Sequence, residues 1–227
     1  MWAIVKKEFK SYFFSPIGYV VIGILLTVFS AFFYLTTIQS GSVDLGALYY
    51  YVALYGLIIA TPALTSRMFA EERKSGTEQL ILTSPTSITE VVFGKLIAAL
   101  GVILVALLVS FMYVIIISFF GTPSIGSVLV AMFGFLLISA ASISVGMFAS
   151  SITENQIISI IITIAFLLLT IFLQDISSFF SYFSLINYYE KFASSLISIS
   201  DVVRLVSFAA MFICFTIIVM QRRKSVK

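Results

Sequence analysis

Few side chains in this sequence could do chemistry, and the densest group of them lies between Arg67 and Lys95. The stretch RMFAEERKSGTEQLILTSPTSITEVVFGK carries Arg67, Glu71, Glu72, Arg73, Lys74, Glu78, Glu90 and Lys95, eight of the 23 charged residues in the chain. Apolar segments flank it on both sides. Mixed charges in such an island suit ion pairing and docking better than catalysis. No histidine is present, which removes imidazole bases and ligands. The lone Cys214 stands in an apolar run and reads as a small buried hydrophobe, without a thiol cluster or a disulfide framework. Gly94-Lys95 lacks both the earlier glycine and the following hydroxyl of a phosphate-binding loop. Neither G-x-S-x-G nor H-E-x-x-H occurs. Apart from Lys95 at the start of the third, the predicted spans carry no charge, so an ion or proton relay has little to run on. No metal site is expected.

Local pattern shapes the island. Ser75-Gly76-Thr77-Glu78 predicts a capping box, with Ser75 as N-cap and Glu78 reaching back to its amide. A short helix over about 77–83 would follow, stopped by Ser84-Pro85 because a residue before proline disfavours the helical region. Ser87-Ile88-Thr89-Glu90 repeats the pattern and opens a long helix. Thr153-Glu154-Asn155-Gln156 is a third such signal, with Thr153 as N-cap. The island therefore reads as a rigid polar unit held at a membrane surface by its flanking spans. An ordinary solvated loop is the competing reading.

The rest of the chain is built to sit in lipid. Of 227 residues, 61% are hydrophobic and 10% charged, and the mean hydropathy is +1.16. A soluble chain has about 45–50% apolar and 25% charged residues. Spanning segments must satisfy their own backbone hydrogen bonds, which predicts helices throughout. A net charge of +3 gives no reason to invoke nucleic acid.

Residues 1–16 predict an interfacial amphipathic helix. Trp2, Val5, Phe9, Tyr12 and Phe13 share an arc, Lys6, Lys7 and Lys10 lie outside it, and Ile4 breaks the pattern. The apolar run after Pro16 is too long for a signal-peptide core, so a retained helix is expected. Six spans follow, at about 17–35, 49–66, 91–120, 125–151, 157–173 and 205–220. The 58 residues from Leu96 to Thr153 carry no charge. As one helix they would run to about 87 Å, so they must fold back, at Gly121-Thr122-Pro123-Ser124. Tyr49, Tyr50, Tyr51 and Tyr55 suggest an interfacial aromatic belt, and Pro62 a kink. Ser142, Gly146 and Ser150 form a small-xxx-small ladder for close helix packing, and Gly94 with Ala98 a shorter one. Residues 174–203, rich in serine and aromatics, predict short re-entrant or interfacial helices.

Six spans place both termini on one side with 67–95. Eleven basic residues then lie on that side, against Lys191 and Arg204 on the other. The positive-inside rule puts the basic side in the cytoplasm.

The segment FAEERKSGTEQLILTSPTSITEVVFGK resembles the first cytoplasmic loop of type-2 ABC exporter permeases. KKEFKSYFFSPIGYV, FASSITENQ and the terminal RRK resemble the gliding-motility permease GldF and its relative NosY. The resemblance spans nearly the whole chain. It implies an all-α, single-domain permease of the cytoplasmic (inner) membrane, with six transmembrane helices and an N-terminal interfacial helix. It further implies pairing with a second permease, a copy or a paralogue, and the service of separate ABC ATPase subunits that hold ATP and Mg; the chain itself would need no cofactor and would not be an enzyme. The coupling role falls on Glu71, Glu72, Gly76, Thr77 and Glu78, and a candidate second cytoplasmic contact on Thr153 and Glu154. The resemblance does not fix the substrate. A small secondary carrier and a non-transporting membrane scaffold are the alternatives, and a carrier would need a buried ionisable residue.

Overall fold

The computed structural model describes residues 1–79, 86–172 and 184–225. Helix dominates all three segments. The N-terminal helix α1 (Trp2–Phe14) is followed at once by α2 (Pro16–Phe33), whose Pro16 sits in the first turn, where its missing N–H costs nothing. A π-helical stretch, Tyr34–Ile38, extends α2. Next come α3 (Gly46–Tyr51), a second π-helical stretch (Val52–Gly56) and α4 (Leu57–Thr65), then the short α5 (Ala70–Lys74). The long helices α6 (Ile88–Ser118) and α7 (Ile125–Ile152) lead to α8 (Gln156–Phe172), α9 (Leu185–Ala193) and α10 (Ile199–Ser225).

Among the described residues, five stretches are long and apolar enough to cross a membrane: Pro16–Ile38, Gly46–Lys74, Ile88–Ser118, Ile125–Ile152 and Ile199–Lys224. The apolar helix α8 is shorter, at 17 residues. Glu154, just before α8, pairs with Arg73 at one end of the bundle, whereas α9 packs beside Gly46 at the other. Helix α8 therefore runs along the bundle from the first of these ends toward the second. The predicted segment 174–203 lies partly outside the described residues. Within the rest of it, α9 is too short to span and turns Leu185, Ile186, Tyr189 and Phe192 inward. The last span begins earlier than expected, at Ile199.

Helix α7 is the centre. Its most apolar window is 67% buried, against 28% for the first and last spans. Small residues allow this. A Cβ on Gly134 would run into the Phe192 side chain, and one on Gly146 would overlap the Thr65 hydroxyl. Ser139, Ala141, Ser142, Ser144, Ser150 and Ser151 on the same helix are buried. The ladder thus serves close packing of α4 and α9 on α7. Gly146→Leu should destabilise the bundle by about 1–3 kcal/mol through overpacking, read as thermal unfolding in detergent. Gly126→Leu, whose Cβ meets nothing, should leave the transition where it was.

Helix α1 lies along α6 rather than on lipid alone. Ile4 seats on Gly94, Phe9 on Gly101, and Val5 and Tyr12 are buried. Ile4, which broke the predicted arc, is therefore a packing residue, while Trp2 is exposed. Three further expectations change. Tyr49 is not part of a belt: it is buried, edge-on to Phe29, with its hydroxyl 3.1 Å from Ser110 Oγ. Tyr51 and Tyr55 do stay outside, stacked with Phe32. The irregular turns of the second span fall at Val52–Gly56, ahead of Pro62, which lies inside α4. Cys214 faces outward from α10 instead of into the core.

Candidate functional site

The charged island is anchored by a serine on another helix. Helix α4 ends at Thr65, the chain turns through residues 66–69, and α5 begins at Ala70. The first amides of a helix have no partner inside it. Here Ser150 of α7 supplies one: its Oγ accepts from Phe69 N and Ala70 N at 3.1 Å each and donates to Ser66 O at 3.2 Å. One buried hydroxyl therefore fixes where α5 starts.

On α5, Glu72 turns inward and meets Lys95 of α6. Lys95 Nζ lies 2.7 Å from Glu72 Oε1 and 3.3 Å from Glu8 Oε2 of α1, with the Phe69 ring 5.3 Å away. The lysine side chain is only 2% exposed, and those of Glu8 and Glu72 are 14% and 18%. One buried ammonium thus holds the N-terminal helix and the island together. The sequence reading placed Lys95 among surface basic residues and gave Glu8 no role. Both corrections follow from packing: α1 lies over the glycine notch of α6 and covers the lysine. An available signal was a lone cation in a helix that is otherwise uncharged beyond Glu90. Burial and the neighbouring carboxylates push the Tyr12 hydroxyl far above its ordinary range, so it is a neutral wall here. Glu72 Oε2 is buried and has no partner within the chain. Beside it opens a polar cleft of about 300 Å³ between α1 and the island, whose walls include Lys7, Ser11, Arg67 and Thr77.

The tip of the island departs from the predicted capping box. Ser75 closes α5 rather than opening the next helix; its hydroxyl donates to Glu72 O at 3.2 Å and lies 2.9 Å from Thr77 Oγ1. Gly76 takes φ +75, a conformation that glycine adopts freely and that turns the chain at this point. Glu78 does not reach back to Ser75. Its carboxylate takes Arg223 of α10 at 3.1 Å, and the same guanidinium donates to Ser151 O. Part of the helix predicted for 77–83 lies outside the described residues. The box at Ser87 and Glu90 does form, with both of its reciprocal bonds. The third predicted cap shifts to Asn155, whose Oδ1 accepts from Ile157 N at 2.9 Å, while Thr153 Oγ1 accepts from Asn155 N.

Glu154 is joined to the island. Arg73 Nη2 lies 2.7 Å from its carboxylate, and Arg73 Nη1 donates to Ile152 O at 3.3 Å. The predicted set therefore divides. Glu72 and Glu78 bind the island to the bundle, and Glu154 binds the second loop to the island. Glu71, Gly76 and Thr77 are exposed at the tip, with Glu71 paired only to Arg67 at 3.7 Å. Exposed pairs such as this contribute about 0–1 kcal/mol. The buried Lys95 clasp fixes geometry.

Residues 2–220, nearly the whole chain, match the family model for ABC-2 family transporter proteins. The chain belongs to this family. No curated protein matches it in sequence. Membership makes the chain a multi-pass membrane component of an ABC transporter system. At this end α1, α5, α6, α7 and α10 converge on a single exposed turn. At the opposite end a smaller network forms: Asp201, buried, takes Lys191 at 2.8 Å and Arg204 at 3.3 Å. Both buried ionic groups sit near the ends of spans and are paired, an arrangement suited to structure more than to a relay through the membrane.

Proposed function

We propose that this chain is a permease subunit of an ABC transporter, forming the translocation path with a second permease chain and driven by separate ATPase subunits. ATP and Mg belong to those subunits. The ATPase docks on the turn Glu71–Thr77, with Thr153 and Glu154 as its second contact, and both termini lie on the same, cytoplasmic side of the inner membrane. One observation carries this reading: the exposed turn is tied to α1, α6, α7 and α10 through Lys95, Ser150 and Arg223. A push on the turn cannot be absorbed locally and reaches four helices. The eleven-to-two distribution of basic residues supports the orientation. The segments KKEFKSYFFSPIGYV and FASSITENQ support a place near GldF and NosY, without naming the cargo.

Glu72 is a poor probe of docking, because reversing it would set a second cation beside Lys95. Exposed residues serve better. Combined Glu71→Lys and Lys74→Glu should leave the chain folded and reduce retention of a co-expressed ATPase severalfold, mainly by slowing association. Glu190→Lys, at the opposite end, should retain it fully. Equal retention by both variants would return the turn to a solvated loop.

A further inference from the structure

We propose that the crevice between α2 and α6, at the end away from the charged island, seats an acyl ester whose carbonyl accepts a hydrogen bond from Thr37. The two helices are locked together lower down. Tyr113 of α6 donates to Leu26 O at 3.2 Å, lies 2.6 Å from Ser30 Oγ, and packs against Phe29 and Phe33. Above that lock α2 passes into the π-helical stretch Tyr34–Ile38, and a cavity of about 290 Å³ opens against Ile116, Ile117 and Phe120. That volume stands at the lower edge of ligand pockets, about 300–1,000 Å³. Gly41, at φ +65, turns the chain so that Ser42 and Val43 roof the space.

Among the described residues three buried hydroxyls lack a hydrogen-bond partner, those of Thr37, Thr61 and Ser159, and Thr37 is the one at this cavity. It is 1% exposed, it lines this cavity, and its hydroxyl has no partner. Its neighbour Thr36 takes the ordinary helical option and donates to Phe32 O at 2.7 Å. Buried hydroxyls are nearly always paired, so an isolated one in an apolar pocket points to a missing acceptor. A water bridging Thr37 and Ser42 would have only the minimum of the two to four polar partners it needs, and it would leave most of this cavity, whose other lining residues are apolar or glycine, unfilled. A carboxylate or phosphate fits no better, because no cationic side chain lines the space. A neutral carbonyl joined to an apolar chain satisfies both surfaces.

Depth agrees. Thr37 is the penultimate residue of its span, and exposed Tyr34, Phe119 and Phe120 cluster at this level as interfacial aromatics do. Glycerolipid ester carbonyls occupy this same zone between headgroups and hydrocarbon. Two sources share that chemistry: bulk phospholipid and an acyl-ester cargo. The seat is independent of ATPase docking, because it lies at the other end of the bundle.

The test uses the full chain in nanodiscs holding equal amounts of diester and diether phosphatidylcholine, with retained lipid read by native mass spectrometry. The wild type should keep one lipid per chain, enriched in the diester roughly two- to tenfold, the range of one net hydrogen bond. Thr37→Val should fold, still retain lipid and lose the ester preference, whereas Thr37→Ser should keep it. Ser42→Trp, which blocks the mouth, should lose the lipid altogether. Chain purified from cell membranes distinguishes the sources: a retained mass equal to bulk phospholipid marks a structural lipid, and a minority acyl ester that resists exchange marks a cargo. Equal retention of ester and ether by the wild type, or an undiminished ester preference in Thr37→Val, overturns the proposal.

Discussion

Lys95→Met should destabilise the protein by about 3–5 kcal/mol, because it leaves two buried carboxylates without their cation. Glu8, left with Lys7 at 3.8 Å, and Glu72 would face each other with no cation between them, and Glu72 Oε2 is already unpaired. The loss should appear as a lower unfolding temperature in detergent and as faster proteolysis of α1, which would no longer be fastened to the island. Adding Glu8→Gln and Glu72→Gln to Lys95→Met should recover most of it, since removing a whole buried ionic group is often nearly neutral. If Lys95→Met melts with the wild type, the clasp contributes nothing to stability and α1 is held by Ile4, Val5 and Phe9 alone.

Ser150→Ala carries the second large effect. It strips Phe69 N, Ala70 N and Ser66 O of one shared partner, at about 1–3 kcal/mol for each group that stays dry. Water reaches the ends of the bundle, so a total of about 2–4 kcal/mol is expected. The informative contrast is Ser144→Ala. That hydroxyl donates only to Ala141 O within its own helix, and its loss should cost less than about 1 kcal/mol. In a reconstituted transporter, Ser150→Ala should also uncouple: the ATPase still binds the exposed tip, but α5 has lost its fixed start. Transport per ATP hydrolysed should fall while ATPase retention stays at the wild-type level. Equal behaviour of the two serine variants would remove Ser150 from the linkage.

Much of the bundle could be read from sequence because its determinants are local. The Ser87–Glu90 box, the uncharged run after Lys95, the break at Gly121–Ser124 and the small-residue ladder of α7 each act within a few residues of themselves. What could not be read depends on partners far along the chain. S-x-x-E at Ser75 is a fair capping signal, but Arg223 competes for Glu78 from 145 positions away and wins, since a guanidinium offers a stronger bond than a backbone amide. Thr153 lost its capping role to Asn155, because the asparagine stands immediately before the helix and its oxygen caps at least as well. Tyr49 looked like its neighbours Tyr50 and Tyr51, and only the hydroxyl of Ser110, 61 positions on, distinguishes it. The Lys95 clasp was hidden for the same reason. Its members come from three segments, α1, the island and α6, and burial follows only once α1 is known to lie across Gly94 and Gly101.

The central claim is that the exposed turn of the island meets an ATPase. Site-directed photo-cross-linking tests it most directly, with a benzophenone side chain placed in turn at Thr77, Glu154 and Ser194 in a chain co-expressed with an ABC ATPase subunit. Thr77 and Glu154 should each give an adduct of chain plus ATPase, and Ser194, exposed at the opposite end, should give none. An intact complex that yields no adduct from Thr77, or one that cross-links equally from Ser194, would contradict the assignment.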